Sequence, residues 1–215
     1  MKKINENGRS MVEMLGVLAI IGVLSVGGIA GYSKAMNKYK INKTTDQVSM
    51  LVANLRTIFS SQGNYADLDN AGARKFGVVP NDMYGSTSSE LKNAFGGDVT
   101  IAYDKARSGD SKENEAFTIR YDGLSSEACV TIATGDWGSG QASGLIAMGA
   151  GITDDLENLS SLLIDDGTPA ANDGLVTAKP GDSDSPTPIS VSNAVKACDG
   201  ADNAGSGYTV MWKYY

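Results

Sequence analysis

Three groups of side chains in this sequence could do chemistry, and each points to a different kind. Glu13 stands just inside a stretch that is otherwise apolar. An ionisable group at membrane depth costs about 3 kcal/mol on insertion scales, so it calls for a partner. No basic residue lies within the two helical turns that follow it. Either the partner is on another chain, or the carboxylate sits hydrated at the headgroup level. Cys129 and Cys198 are too few for a zinc or iron–sulfur site. Their even number supports one disulfide, with two buried free thiols as the alternative. Closing a loop of about 70 residues would remove roughly 4 kcal/mol of entropy from the unfolded chain, and it implies an oxidising compartment. Asp165, Asp166, Asp173, Asp182 and Asp184 offer oxygen ligands of the sort calcium uses, but without EF-hand spacing. A solvated acidic loop is the plainer reading, and no metal or cofactor is assigned.

The absence of histidine removes Ser-His-Asp and Cys-His nucleophiles together with imidazole metal sites. No catalytic residue is assigned, and the chain is read as non-enzymatic. With 18 basic and 25 acidic side chains the formal charge is −7, the wrong sign for a phosphate-binding surface. Nucleic acid is therefore not expected as the main partner. A chain of 215 residues that is 41% hydrophobic can bury a core, and 26 glycines point to many turns or closely packed backbones.

The elements that must position these groups begin with the apolar run. From Met14 to Gly31 only Ser25 carries a polar side chain. As a helix this run is about 27 Å long, just enough to cross a bilayer's hydrocarbon. It is long for the apolar centre of a secretory signal, although the small residues at Ala30 and Gly31 keep a cleavage site in view. Lys2, Lys3 and Arg9 stand on one side and Lys34, Lys38, Lys40 and Lys43 on the other, so charge does not orient the segment. Gly27, Gly28 and Gly31 soften the helix, and Gly16 and Gly22 allow close helix–helix approach.

Beyond the run, Tyr32, Met36, Tyr39, Val48, Leu51, Val52, Leu55, Ile58 and Phe59 recur at helical spacing. They predict one continuous helix over about residues 10–61, roughly 75 Å long, ended by Gly63 and Asn64. Such a helix cannot satisfy itself in water: its second half needs a sheet and its first half needs lipid or copies of itself. Strands are expected at 99–103, at 116–121 with Phe117, Ile119 and Tyr121 on one face, and at 208–214. Short helices are expected at 90–95, 126–133, 153–163 and 190–198, the last with Val191, Ala194, Val195 and Cys198 in register. The pattern is α+β, with 165–188 as an exposed loop. The aromatic tail from Tyr208 to Tyr215 reads as an inner strand, with a receptor, glycan or filament contact as the alternative.

A short basic leader, Gly8, Arg9, then Ser10-Met11-Val12-Glu13 and the long apolar run resemble the class III signal of type IV pilins and pseudopilins. The resemblance implies cleavage between Gly8 and Arg9 by a membrane-embedded prepilin peptidase, with methylation of the new amino terminus at Arg9. It also implies that Glu13, four residues further on, meets the free amine of a neighbouring subunit during assembly. The stretch AFTIRYDGLSSEACVTIAT, with its second cysteine and strand-like tail, is similar to the head of type IVb pilins. There a disulfide staples a C-terminal region to the sheet, a role that falls here to Cys129 and Cys198. The chain departs from the family in a cationic first mature residue, in the lack of a proline in the apolar run, and in an eight-residue leader.

The fold so implied is a long N-terminal helix, membrane-spanning in its first half, packed on an antiparallel sheet with a disulfide-bonded C-terminal region. Residues 1–8 would be leader, 9–62 the helix with 9–31 as transmembrane or filament core, and 63–215 the head. The implied function is a structural subunit of a type IV pilus, supporting adhesion, aggregation or motility. Its partners would be copies of itself in a helical homopolymer, the prepilin peptidase, the assembly machinery in the inner membrane, and the membrane before assembly. It would reside in the bacterial inner membrane as a precursor and then in an extracellular fimbrium. The alternatives are a minor pilin or type II secretion pseudopilin and, from another class, a membrane-anchored calcium-binding surface protein.

Overall fold

The protein is described by a computed structural model that covers residues 11–106, 111, 114–138, 143–152, 174–183, 186–199 and 207–215. The described residues form two compact units, one ending at Tyr39 and the other beginning at Lys40. One helix, α1 (Met11–Phe59), supplies residues to both.

In α1 the buried positions are Ile41, Thr44, Gln47, Val48, Leu51, Leu55 and Phe59, at spacings of one, three and four residues that draw a single stripe. The stripe starts later than the periodicity predicts. Tyr32 and Tyr39 are exposed, and the first inward residue is Ile41. The stripe is also more polar than expected: Thr44 and Gln47 lie in it. The helix ends as read from the sequence. The amides of Gln62 and Gly63 both donate to the Phe59 carbonyl, and Gly63 turns the chain at φ 67°, a left-handed conformation that suits glycine.

The second unit is built on a five-stranded, wholly antiparallel sheet: β1 (Val99–Asp104), β2 (Ala116–Leu124), β3 (Leu145–Ile152), β4 (Leu175–Ala178) and β5 (Tyr208–Tyr214). Their order is β1-β2-β5-β3-β4, so the C-terminal strand is central. In register, Ile119 faces Ile101 on one side and Trp212 on the other. One core joins Val48, Leu51, Leu55 and Phe59 of α1 to Ile101, Phe117, Ile119, Tyr121, Val210 and Trp212. The described residues of the unit also include the α-helices α2 (Asn70–Lys75), α3 (Ser126–Ala133) and α4 (Val191–Cys198). The Ser125 and Ser190 hydroxyls cap α3 and α4 by accepting from the amides of Ala128 and Asn193.

Four expectations are corrected. Residues 90–95 are not a helix. Asn93 Oδ1 accepts from the amides of Phe95 and Gly97, a local side-chain turn that competes with helix, and the segment makes isolated bridges instead. Strand β4 lies inside the stretch read as an exposed loop and is fully buried. Its four residues are flanked by the Asp, Gly and Pro that hid it. Strand β3 was not anticipated, because Gly149 and Gly151 dilute its β-propensity. Gly151 is needed there, since a Cβ would stand 2.6 Å from the Gly174 carbonyl oxygen. On α4, Val191 and Val195 are 65% and 40% exposed, while Ala194, Ala197 and Cys198 face inward. Small residues and the disulfide set that face. The helix expected at 153–163 lies outside the described residues.

The outer edge of β1 is closed by a side chain. Asn70 Oδ1 accepts from the Ile101 amide at 2.7 Å, and Asn70 Nδ2 donates to the Val99 carbonyl at 2.9 Å. The Val99 and Tyr103 amides donate to the Leu91 and Leu68 carbonyls. An unpaired ladder is thereby occupied by a surrogate strand.

Candidate functional site

The first site lies on residues 11–31 of α1. Met11, Val12, Met14, Leu15, Val17, Leu18, Ile20, Ile21, Val23, Leu24, Val26 and Ile29 are all more than half exposed. The segment passes for a membrane span by length and composition, and none of it is buried. In water this much apolar surface would be strongly disfavoured, at about 25 cal/mol for each Å². Glu13 is exposed in the first turn, where the N-terminal end of the helix dipole favours a negative charge. Gly8 and Arg9 lie outside the described residues.

A Cβ placed at Gly16, Gly22, Gly27, Gly28 or Gly31 would meet nothing within 4 Å. Among the described residues no packing requires glycine at those positions. Their use is either to soften the helix or to admit something close from outside it.

The second site is the disulfide. Cys129 on α3 and Cys198 at the end of α4 are bonded, with Cα atoms 5.9 Å apart and both side chains buried. The bond closes 69 residues of sequence, which include β3 and β4. It ties the last helix to the one that follows β2, so the C-terminal half of the sheet is fastened at both ends.

The aromatic tail is interior. Trp212 packs edge-on against Tyr121 and Trp137, with ring centroids 5.9 and 4.8 Å away, and Tyr214 stacks on Phe117 at 5.8 Å. Burial raises the Tyr214 phenol to about 12 and the Tyr121 phenol further, so both stay neutral at any physiological pH. The other face of β5 is buried as well. Thr209, Met211 and Lys213 are enclosed, and Lys213 Nζ lies 3.1 Å from Asp104 Oδ2 on β1.

Two polar groupings were missed from sequence. Arg120 holds Asp122 through Nε and Nη2, and the Thr209 hydroxyl donates to Asp122 Oδ1 at 2.6 Å, tying β2 to β5. The signal was present: Arg120 and Asp122 are two apart, on one strand face. On α1, Lys43 pairs with Asp82 at 2.7 Å and Gln47 Nε2 donates to the same carboxylate at 3.2 Å. Chiefly through the Lys43 hydrogen bond, the Asp82 carboxyl is held below its ordinary value. A separation of more than 30 residues left no pattern to read.

Of the aspartates considered as calcium ligands, Asp165, Asp166, Asp173 and Asp184 lie outside the described residues. Among the described residues no group of three or more His, Cys, Asp or Glu side chains could hold a metal ion.

Residues 38–212 match the family model described as PilS N-terminal. Over 136 residues, 62% of the chain, the sequence is 29% identical to toxin coregulated pilin of Vibrio cholerae. It is 25% identical, again over 136 residues, to the major structural subunit of bundle-forming pilus of Escherichia coli O127:H6. The aligned part spans 59% of the first relative's length and 67% of the second's. The crystal structure of TcpA, a type IV pilin from Vibrio cholerae El Tor biotype, has a TM-score of 0.53 at 19% identity, covering 82% of this chain and 99% of that one. A bare apolar helix segment, a central C-terminal strand and a disulfide-fastened head thus coincide with that match: the chain belongs to the PilS N-terminal family and has the fold of the type IV pilins.

Proposed function

We propose that this chain is a structural subunit of a type IV pilus, non-enzymatic, and assembled into a helical homopolymer through the first half of α1. The observation that carries this reading is the unburied apolar surface of residues 11–29, which nothing among the described residues covers. Before assembly that surface is held in the inner membrane; afterwards copies of the same helix cover it, with the acidic heads outside. The relatives named as pilus subunits support the reading.

Prepilin peptidase cuts between Gly8 and Arg9 and methylates Arg9, and the carboxylate of Glu13 meets the amine of a neighbouring subunit. Transfer from lipid to protein gains mainly packing, so this charge pair sets register more than bulk energy. Mass spectrometry of the exported protein tests the processing step: the expected N-terminus is methylated Arg9, and a chain starting at Met1 or near Gly31 would refute it. Electron microscopy of sheared surface filaments tests the function. The chain is expected as their main component, and its absence from them would refute the reading.

A further inference from the structure

The lysines just past the apolar run are of two kinds. Lys43 is bound to Asp82, and Lys40 lies 5.6 Å over the Phe95 ring, so both charges are engaged within the second unit. Lys34 and Lys38, in the first unit, are exposed and have no ion-pair or hydrogen-bond partner among the described residues. Four residues apart, they share one helix face. Tyr32 and Tyr39, 66% and 58% exposed, lie two turns apart on another.

The apolar run ends at Gly31. Lys34 lies about 4.5 Å beyond it along the axis and Lys38 about 10 Å beyond. The polar zone of one leaflet is roughly 5–8 Å deep. A lysine stem folds back along apolar surface while its ammonium stays in the polar layer. When residues 14–31 fill the hydrocarbon, both ammonium groups therefore reach the phosphate level, and the tyrosines lie where aromatic belts form.

We propose that Lys34 and Lys38 form a site for anionic phospholipid headgroups in the leaflet on the head side, with Tyr32 and Tyr39 fixing the depth of the helix. This rests on the reading that residues 14–31 span a bilayer. The occupant follows from charge and position: two uncompensated cations adjoin a membrane-length segment in a chain whose net charge is −7. Each lysine near an anionic surface contributes about a fivefold gain in binding.

The test uses the full chain reconstituted into vesicles of phosphatidylcholine with or without phosphatidylglycerol. Resistance to alkaline carbonate extraction reports insertion, and native mass spectrometry reports which lipids are retained. Wild type is expected to insert and to retain phosphatidylglycerol over phosphatidylcholine by about tenfold or more. The Lys34→Gln/Lys38→Gln variant should insert equally and lose at least fivefold of that preference, roughly one lysine's share, whereas Lys34→Arg/Lys38→Arg keeps it. Insertion without an anionic preference, or a preference unchanged by the glutamine variant, overturns this inference alone. Failure to insert overturns the membrane reading with it. If the glutamine variant keeps its lipid preference but yields fewer filaments, the lysines serve the acidic surface of a second copy and the proposal is wrong.

Discussion

The two halves of α1 are one helix facing two solvents. From Ile41 to Phe59 a stripe of buried residues joins a protein core, and the opposite face carries Asp46, Ala53 and Thr57 into water. From Met11 to Ile29 the large apolar residues cover every side, and all are exposed. A one-sided stripe specifies a partner already present in the same chain; an apolar surface on all sides specifies an environment. The difference teaches where the chain's own information stops, since the second half can be satisfied by folding and the first cannot.

The comparison can be broken most forcefully at the covalent tie, which acts on the head alone. Replacing Cys129 and Cys198 by serine is expected to cost about 4 kcal/mol of head stability, read by denaturant unfolding in detergent, while leaving membrane insertion unchanged. Leu51→Ala should cost about 3 kcal/mol in the same measurement, and Leu18→Ala nothing measurable. Equal losses for these two leucines would mean that the halves do not differ as described. Glu13→Ala should leave the precursor in the membrane and the head fully stable, yet reduce sheared filaments tenfold or more by immunoblot. Normal piliation would remove the assembly role of that carboxylate.

Smaller effects sharpen the boundary. The Thr44 hydroxyl is buried without a hydrogen-bond partner among the described residues. Thr44→Val should therefore raise the melting midpoint, by about 1 kcal/mol in stability, because an unpaired buried hydroxyl is a cost. Asp82 gives the smallest signal. Its folded value lies below the ordinary 3.8, so its contribution is complete above that value and is lost as pH falls through the folded one. The pair is more than a third exposed at Asp82, and screening leaves a few tenths of a kcal/mol. Lys43→Met should flatten the acid limb of the stability curve by that amount.

How much could be read from the sequence depended on how local the determining physics was. The helix stop at Gly63 and the alternation that buries Phe117, Ile119 and Tyr121 are set by neighbours within a turn or a strand, and both appear as expected. The tail was legible as an inner strand because its aromatic residues alternate. Strand β3 was not, since its glycines dilute the strand pattern and Gly151 answers to the Gly174 carbonyl just before β4, which no local window contains. Lys213 is enclosed although it lies opposite the aromatic face, because both faces of this central strand are covered. Glu13 was legible as an acid inside an apolar run, whereas residues 8 and 9 and the assembly role of Glu13 came only through resemblance; the structure describes Glu13 alone of the three, on the exposed first turn.

Asn70 bears on how two heads of this fold can meet. By saturating the rim of β1 with an amide that cannot itself be extended, it denies a second sheet a place to add on at that edge. That side of the head is then closed to strand addition by a neighbouring head.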